Sequence, residues 1–297
     1  MIGIFALPGI GEVRAGADLV AMIGDALESD DNVRPQDGDV LVVTSKIVSK
    51  AEGRFADAED RLAVIDAETV RTVARRQSMS IVETHHGLTQ AGAGVDNSNV
   101  EPGRILLLPV DPDGSAERLR AGLAQRFGVR LGVILSDTAG RAWRIGQTDH
   151  AIGSAGVRVL DRYAGRQDGY GNELHVTAIA IADELAAAAD LVKTKLGGTP
   201  VAVIRGVDEH VVEPGPVARE MLRTGEEDLF HRGTREAIIG ALLAALDQAD
   251  RYEEVVRLWH RDELFAAITD DLELTEPELI MIKKMIITAQ PLWPEAR

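Results

Sequence analysis

Cysteine is absent from the 297 residues, which excludes disulfides, thiolate zinc sites, iron–sulfur clusters and a cysteine nucleophile. No apolar run approaches the length of a membrane span, and the first residues, Met1 to Leu7, carry no basic n-region. A cytoplasmic location without membrane association is expected. Positive charge is scarce: the net charge is −16 and the pI about 4.9. So acidic a chain repels phosphate backbones, and nucleic acid is not expected as a partner. Lysine is scarcer still, with six residues against 26 arginines. Familiar templates are missing too. There is no G-x-x-x-x-G-K-[ST], no G-x-S-x-G and no H-E-x-x-H, and Gly9-x-Gly11 and Gly92-x-Gly94 lack the third glycine of the dinucleotide fingerprint. What remains is globular: 45% hydrophobic and 27% charged residues in a chain long enough to bury a core unaided.

The first two-thirds alternates short apolar strands with amphipathic helices. Strands are expected at Gly3 to Leu7, Asp39 to Thr44, Ser80 to Glu83, Ile105 to Val110, Arg130 to Ser136, Leu174 to Ala182 and Pro200 to Arg205. Helices are expected at Ala17 to Leu27, Ala58 to Arg76 and Ala116 to Arg126, with another capped by Asp183 and running to Lys193. Glycine-rich irregular stretches occupy Pro8 to Gly16, Gly87 to Gly103, Thr138 to Gly156 and Ala164 to Asn172, and long loops of this kind tend to be functional. Beyond Gly225 the chain turns helical, at Thr234 to Leu246, Tyr252 to Ile268 and Glu276 to Ile287. The organisation is a mixed α/β body, residues 1–236, with a helical C-terminal extension, 237–297.

The six lysines fall in three pairs: Lys46 with Lys50, Lys193 with Lys195, and Lys283 with Lys284. Lysine is a compact point charge suited to single phosphate oxygens, so its use in an arginine-biased chain directs attention to phosphate contacts, with chance surface placement as the competing reading. The first pair lies in Thr44-Ser45-Lys46-Ile47-Val48-Ser49-Lys50, after a buried strand; the second opens Lys193-Thr194-Lys195-Leu196-Gly197-Gly198-Thr199-Pro200. A strand also leads into Ser136-Asp137-Thr138-Ala139-Gly140-Arg141-Ala142-Trp143-Arg144. Carboxylate and hydroxyl oxygens there suit Mg²⁺ or Mn²⁺, and arginines three apart can meet one anion; the alternative is a capped turn with solvated arginines. Gly94-Val95-Asp96-Asn97-Ser98-Asn99 pairs small residues with a second possible cation ligand, and also passes as a polar turn. The adjacent His85 and His86 would point to opposite faces of an extended segment and cannot share one ion. Trp143, Trp259 and Trp293 are expected to serve packing.

In order along the chain, Thr44 to Lys50, Gly94 to Asn99, Asp137 to Asp149 and Tyr170-Gly171-Asn172-Glu173 resemble the motif blocks of the coenzyme F420-0:L-glutamate ligase family, with similarity running from about Ile4 to Glu236. The loop Ile10-Gly11 departs from the family's usual Ile-Pro. The resemblance implies an α+β fold of mixed sheets and helices and an intertwined homodimer. It implies an enzyme, a carbon–nitrogen ligase that adds L-glutamate to coenzyme F420-0 through γ-glutamyl linkage, with GTP as co-substrate. Mg²⁺ or Mn²⁺, two ions, would assist, with K⁺ as an additional candidate. By motif, Asp96 and Asp137 would bind metal, with Thr138 at a second ion. Ile10, Gly11, Glu12, Val13, Ser45, Lys50, Asn99 and the run Lys193, Thr194, Lys195, Leu196, Gly197, Gly198, Thr199 and Pro200 would surround GTP. Lys50, Arg141 and Arg144 would act in catalysis. Some relatives fuse a flavin-binding domain, for which the remaining residues are too few, so that activity is expected to be absent.

That inventory suits the chemistry. A carboxylate is a poor electrophile, and transfer of a phosphoryl group onto it makes an acyl phosphate that an amine can attack. For a general base Asp149, His150 and Glu173 stay open. Two other classes would use similar residues: a metal-dependent phosphotransferase or phosphatase, and a non-catalytic nucleotide or deazaflavin binder. The C-terminal extension, strongly negative and amphipathic, is expected to pack rather than to catalyse.

Overall fold

The structure is a computed structural model that describes residues 1–223, 225, 228–270 and 272–289. It is α+β, with several sheets and a helical C-terminal part. Two compact units do not follow chain order: one comprises Met1–Val64 with Gly94–Leu222, the other Ile65–Ala93 with Arg223–Arg297. Among the described residues no helix is long and apolar enough to cross a membrane.

The first unit is built on a five-stranded sheet. Its strands are β1 (Gly3–Leu7), β2 (Asp39–Thr44), β8 (Leu131–Arg141), β9 (Arg144–Ala155) and β12 (Val201–Arg205), in the order β1-β12-β2-β8-β9. Only β2 and β8 run parallel. Val40, Leu41, Val42 and Val43 are all fully buried, as the continuous apolar run requires of a central strand covered on both faces. Val40 and Val42 pack with Ile134, Ala202 and Ile204 against Ile181, Ala182, Leu185, Ala186 and Ala189 of α5 (Ile181–Lys193). Leu41 and Val43 point the other way by strand alternation. Helices α1 (Leu19–Glu28) and α4 (Pro112–Phe127) pack together, and α4 lies against β8 and β9. Asp18 and Asp111 cap these helices by accepting from the Ala21 and Gly114 amides at 3.0 and 3.1 Å. Pro112 opens α4 and Gly128, in the left-handed region at φ 67°, closes it. Two short strands, β3 (Phe55–Asp57) and β7 (Arg104–Leu106), pair beside α2 (Ser45–Ala51), and β10 (Asp161–Arg162) pairs with β11 (Ala178–Ile179).

Three expectations for this unit are corrected. Thr138 to Gly156 is no irregular loop but the β8–β9 hairpin, turning at Ala142-Trp143 with Trp143 at φ 59°. Strand pairing here overrides the glycines. Gly153 is required for a reason of space, since a Cβ there would come within 2.5 Å of the Pro112 backbone. Leu174 to Ala182 is strand only at Ala178–Ile179, and Val176 is exposed. Asp183 does not cap α5; it lies in the first turn and its Oδ1 accepts the Ala151 amide at 2.9 Å. That amide is next to a register shift between Leu135 and Ser136, where the β9 partner jumps from Gly153 to Ala151.

In the second unit β4 (Thr69–Arg76), β5 (Met79–Thr84) and β6 (Thr89–Ala91) form an antiparallel meander. The helix expected over Ala58 to Arg76 is therefore corrected: a 3-10 turn at Ala58–Asp60 and α3 (Arg61–Ala67) are all of it that is helical. The β-branched Thr69, Val70, Thr72 and Val73 take strand pairing instead. Helices α6 (Thr234–Ala245), α7 (Tyr252–Val255), α8 (Arg261–Thr269) and α9 (Glu276–Ala289) enclose a core of Ile239, Leu243, Val255, Leu264, Ile268, Ile282 and others. Tyr252 to Ile268 is broken rather than continuous. The buried Arg235 guanidinium donates to the Val256 and Leu258 carbonyls within the break. The strand and helices are stitched together by polar groups: Tyr252 Oη donates to the Thr72 carbonyl at 3.0 Å, and buried Glu236 accepts from the Arg75 amide at 3.0 Å. Trp259 stacks on Arg235, and Trp293 lies outside the described residues.

Candidate active site

The parallel pairing of β2 and β8 puts Thr44 opposite Ser136, so Ser45, where β2 ends, and Asp137, where β8 runs on into the hairpin, lie side by side. Ligands of open α/β sheets bind at such an edge. Ser45 Oγ donates to Asp137 Oδ1 at 3.0 Å, and α2 begins at Ser45. One residue on, Lys46 Nζ reaches Asp96 Oδ2 at 2.6 Å and also donates to the Ser98 carbonyl and hydroxyl. Asp96 is fixed by a bridge to Leu106 and by the Ser98 amide, which donates to its Oδ1 at 2.8 Å.

A helical turn further, the buried Lys50 donates to Glu12 Oε1 at 2.5 Å, drawing the loop Ile10, Gly11, Glu12 and Val13 beside α2. On the other side of β2 the Thr44 amide donates to the Pro200 carbonyl at 2.9 Å, which places the end of the Lys193–Pro200 loop next to Ser45. Three loops distant in sequence, 10–13, 96–99 and 193–200, therefore attach to one strand end.

The electrostatics of the two acids differ in cause and sign. Burial pushes the Asp137 carboxyl up to about 6, helped by the negative charges of Asp149 and Asp96 and opposed by Ser45 and Lys46. Burial would raise Asp96 as well, but hydrogen bonds from Lys46 and Ser98 and the Lys46 charge outweigh it and hold the carboxyl well below the usual range. A desolvated carboxylate that feels two others and has one hydroxyl as partner favours a nearby cation. Among the described residues no three His, Cys, Asp or Glu side chains are arranged to hold a metal ion. Asp137, with only the Ser45 hydroxyl as partner, and Asp96, whose oxygens accept from Lys46 and Ser98, are the carboxylates here whose chemistry suits a hard divalent ion such as Mg²⁺.

The other expected residues distribute as follows. Thr138 follows Asp137 in an extended strand and points to the opposite face, where its hydroxyl donates to Asp149 Oδ1 at 2.7 Å. Lys193 is buried and bonds Asp149 Oδ2 at 2.8 Å. Thr194, Lys195, Leu196, Gly197 and Gly198 are exposed, while Thr199 Oγ1 donates back to the Lys193 carbonyl. Asn99 is exposed with φ 55°. Arg141 and Arg144 face each other across the hairpin tip, exposed, about 14 Å of extended strand beyond Asp137. Trp143 and Ile145 beside them are 82% and 102% exposed, so the packing role expected of Trp143 is corrected. His150 sits opposite Asp137 in the register, and Glu173 lies on an exposed loop. Spacing alone did not reveal Lys46 as the partner of Asp96, nor Asp149 as the acceptor for Ser136 and Thr138. The i, i+2 repeat of hydroxyls flanking Asp137 was the available signal for the latter.

Against known proteins, the family model described as F420-0:Gamma-glutamyl ligase matches residues 9–206. A protein named Coenzyme F420:L-glutamate ligase from Archaeoglobus fulgidus is 39% identical over 250 residues, covering 78% of this chain and 97% of that relative. Those of the same name from Methanopyrus kandleri and Methanothermobacter thermautotrophicus are 38% and 36% identical, covering 74% and 77% of this chain and 93% and 98% of the relatives.

Proposed function

The chain belongs to the F420-0:gamma-glutamyl ligase family, and from that premise we propose that it joins L-glutamate to coenzyme F420-0 through a γ-glutamyl bond, with GTP and a divalent cation. The observation that carries the reading is the strand edge where Ser45, Lys46, Asp96 and Asp137 meet, with the 10–13 and 193–200 loops attached to it.

Asp96 and Asp137 would hold Mg²⁺ or Mn²⁺, which supplies neutralisation of phosphate charge when bound. The γ-phosphoryl group passes from GTP to the acceptor carboxylate, breaking the β–γ phosphoanhydride bond and forming an acyl phosphate. The glutamate amine then attacks the carbonyl carbon and phosphate leaves. Lys46 and Lys50 flank this edge as point charges, and each is held by a carboxylate, Asp96 and Glu12 respectively. A net charge of −16 makes such local positive groups necessary for two polyanionic substrates.

A homodimer belongs to the same proposal. The β8–β9 hairpin exposes Trp143, Ile145, Arg141 and Arg144 together, and a second copy would bury the indole and bring guanidinium groups that the single chain leaves at the tip. The test is incubation with GTP, Mg²⁺ or Mn²⁺, F420-0 and glutamate, read by mass. A gain of one or more glutamyl units supports the proposal. Phosphate release without amide formation would indicate a phosphatase, and binding without turnover a carrier.

A further inference from the structure

The residues on either side of Asp137 share a single acceptor. Ser136 and Thr138 lie on the strand face opposite to Asp137, and the register places Asp149 directly across from Thr138. Ser136 Oγ donates to Asp149 Oδ2 at 2.8 Å, and Thr138 Oγ1 donates to Oδ1 at 2.7 Å. Lys193 Nζ completes the group, 2.8 Å from Asp149 Oδ2 and 2.6 Å from Ser136 Oγ. Ser136, Asp149 and Lys193 are 0%, 3% and 4% exposed, so the bonds among these three are shielded from water. Burial by itself would raise the Asp149 carboxyl; the Lys193 charge and the hydroxyls outweigh it and keep it ionised.

Lys193 is also the last residue of α5, and its carbonyl accepts from Thr199 Oγ1 at 2.7 Å, closing the 194–199 loop upon itself. Two of the three ammonium donors are therefore used inside the protein, on the face turned away from Asp137. Lysine here supplies one buried, compact charge shared by a carboxylate and a hydroxyl.

We propose that Ser136, Thr138, Asp149 and Lys193 form a clamp that sets the backbone of β8 on both sides of Asp137. Lys193 is thus a positioning residue and not a phosphate ligand. The inference rests on the proposed cation site at Asp96 and Asp137 and adds to it the group that orients one of its two acids.

The experiment measures Mn²⁺ binding without nucleotide by electron paramagnetic resonance, and binding of a fluorescent GTP analogue in EDTA, for wild type, Asp137→Asn, Lys193→Met and Ser136→Ala. Loss of a partner that orients a metal-binding side chain lowers metal affinity by about 10- to 100-fold. Lys193→Met is expected in that range and Ser136→Ala near its lower end, with metal-free GTP affinity changed less than about twofold in both. Should Lys193→Met fail to fold, Ser136→Ala, which removes one oxygen and no charge, reads the same quantity. Unchanged Mn²⁺ affinity in the folded variants overturns the clamp, as does a loss of GTP affinity in Lys193→Met alone, which would make the lysine a phosphate ligand. Wild-type Mn²⁺ binding that survives Asp137→Asn would remove the cation site and the clamp with it. Binding that depends on Asp137 but ignores Lys193 and Ser136 would overturn the clamp only.

Discussion

Asp137→Asn should make the metal-free protein more stable while it abolishes ligation. The carboxyl moves from an ordinary 3.8 to about 6 because burial and the charges of Asp149 and Asp96 disfavour its ionised form. A raised folded value means that the native state binds the proton more tightly than the unfolded chain does. Stability therefore falls as pH rises from about 4 to about 6 and has lost its full contribution above that window. The difference corresponds to about 3 kcal/mol as an upper bound. Asparagine imitates the protonated acid and can still accept from Ser45, so it escapes this cost. In EDTA at pH 7.5 the variant should melt above wild type, by up to about 6–12 °C at 2–4 °C per kcal/mol for a unit of this size, and at pH 4 the two should coincide. With Mn²⁺ at about 100 times its dissociation constant, wild type gains roughly 2.7 kcal/mol and the variant nothing, so the gap closes or reverses. Thermal scans at both pH values, with EDTA and with Mn²⁺, together with mass-detected ligation, check each part. A variant less stable than wild type in EDTA at pH 7.5, or one that keeps the Mn²⁺ shift, would refute the reasoning.

Mn²⁺ affinity of the wild type should fall about tenfold per pH unit below the Asp137 value of about 6, since the ion competes with that proton; titrations from pH 5 to 7.5 would show it, and a flat profile would contradict it. Lys46→Met removes the cation that depresses Asp96, and because Asp96 is half-exposed the loss should be about 1 kcal/mol at pH 7, holding down to about pH 4 and shrinking only below it; denaturant melts at pH 7 and at about pH 3 measure it. Tyr252→Phe leaves the Thr72 carbonyl without its donor and should cost about 1 kcal/mol with no change in turnover per folded molecule. Leu243→Ala, at the centre of the helical core, should cost about 2–5 kcal/mol, and a change under 1 kcal/mol would show that this core is loosely packed. Hydroxylamine added to enzyme, GTP and F420-0 without glutamate should trap an acyl hydroxamate; no trapped product from an active preparation argues against an acyl phosphate that is open to solvent.

Much of the site was legible because it sits where local pattern is strongest. The runs Val40 to Val43 and Val133 to Leu135 announce buried strands, and the acids, hydroxyls and lysines that follow them lie just beyond the apolar runs whatever the topology. The helix expected at Ala116 to Arg126 was likewise readable from its own stretch of sequence, although it begins a turn earlier, at Pro112 behind the Asp111 cap, and ends at Phe127. Other elements depend on a partner far along the chain. Thr69 to Arg76 carries residues that serve a helix or a strand, and only pairing with β5 decides between them. The Thr138 to Gly156 stretch looks irregular until β8 and β9 close on each other, and the shift at Ile152 that bares the Ala151 amide has no local signature. The same holds for the counter-charges. The spacing of 50 residues between Lys46 and Asp96, and of 44 between Asp149 and Lys193, carries no information by itself. Which lysine is consumed by a buried carboxylate and which stays exposed is set by desolvation, and desolvation exists only once the sheet has formed.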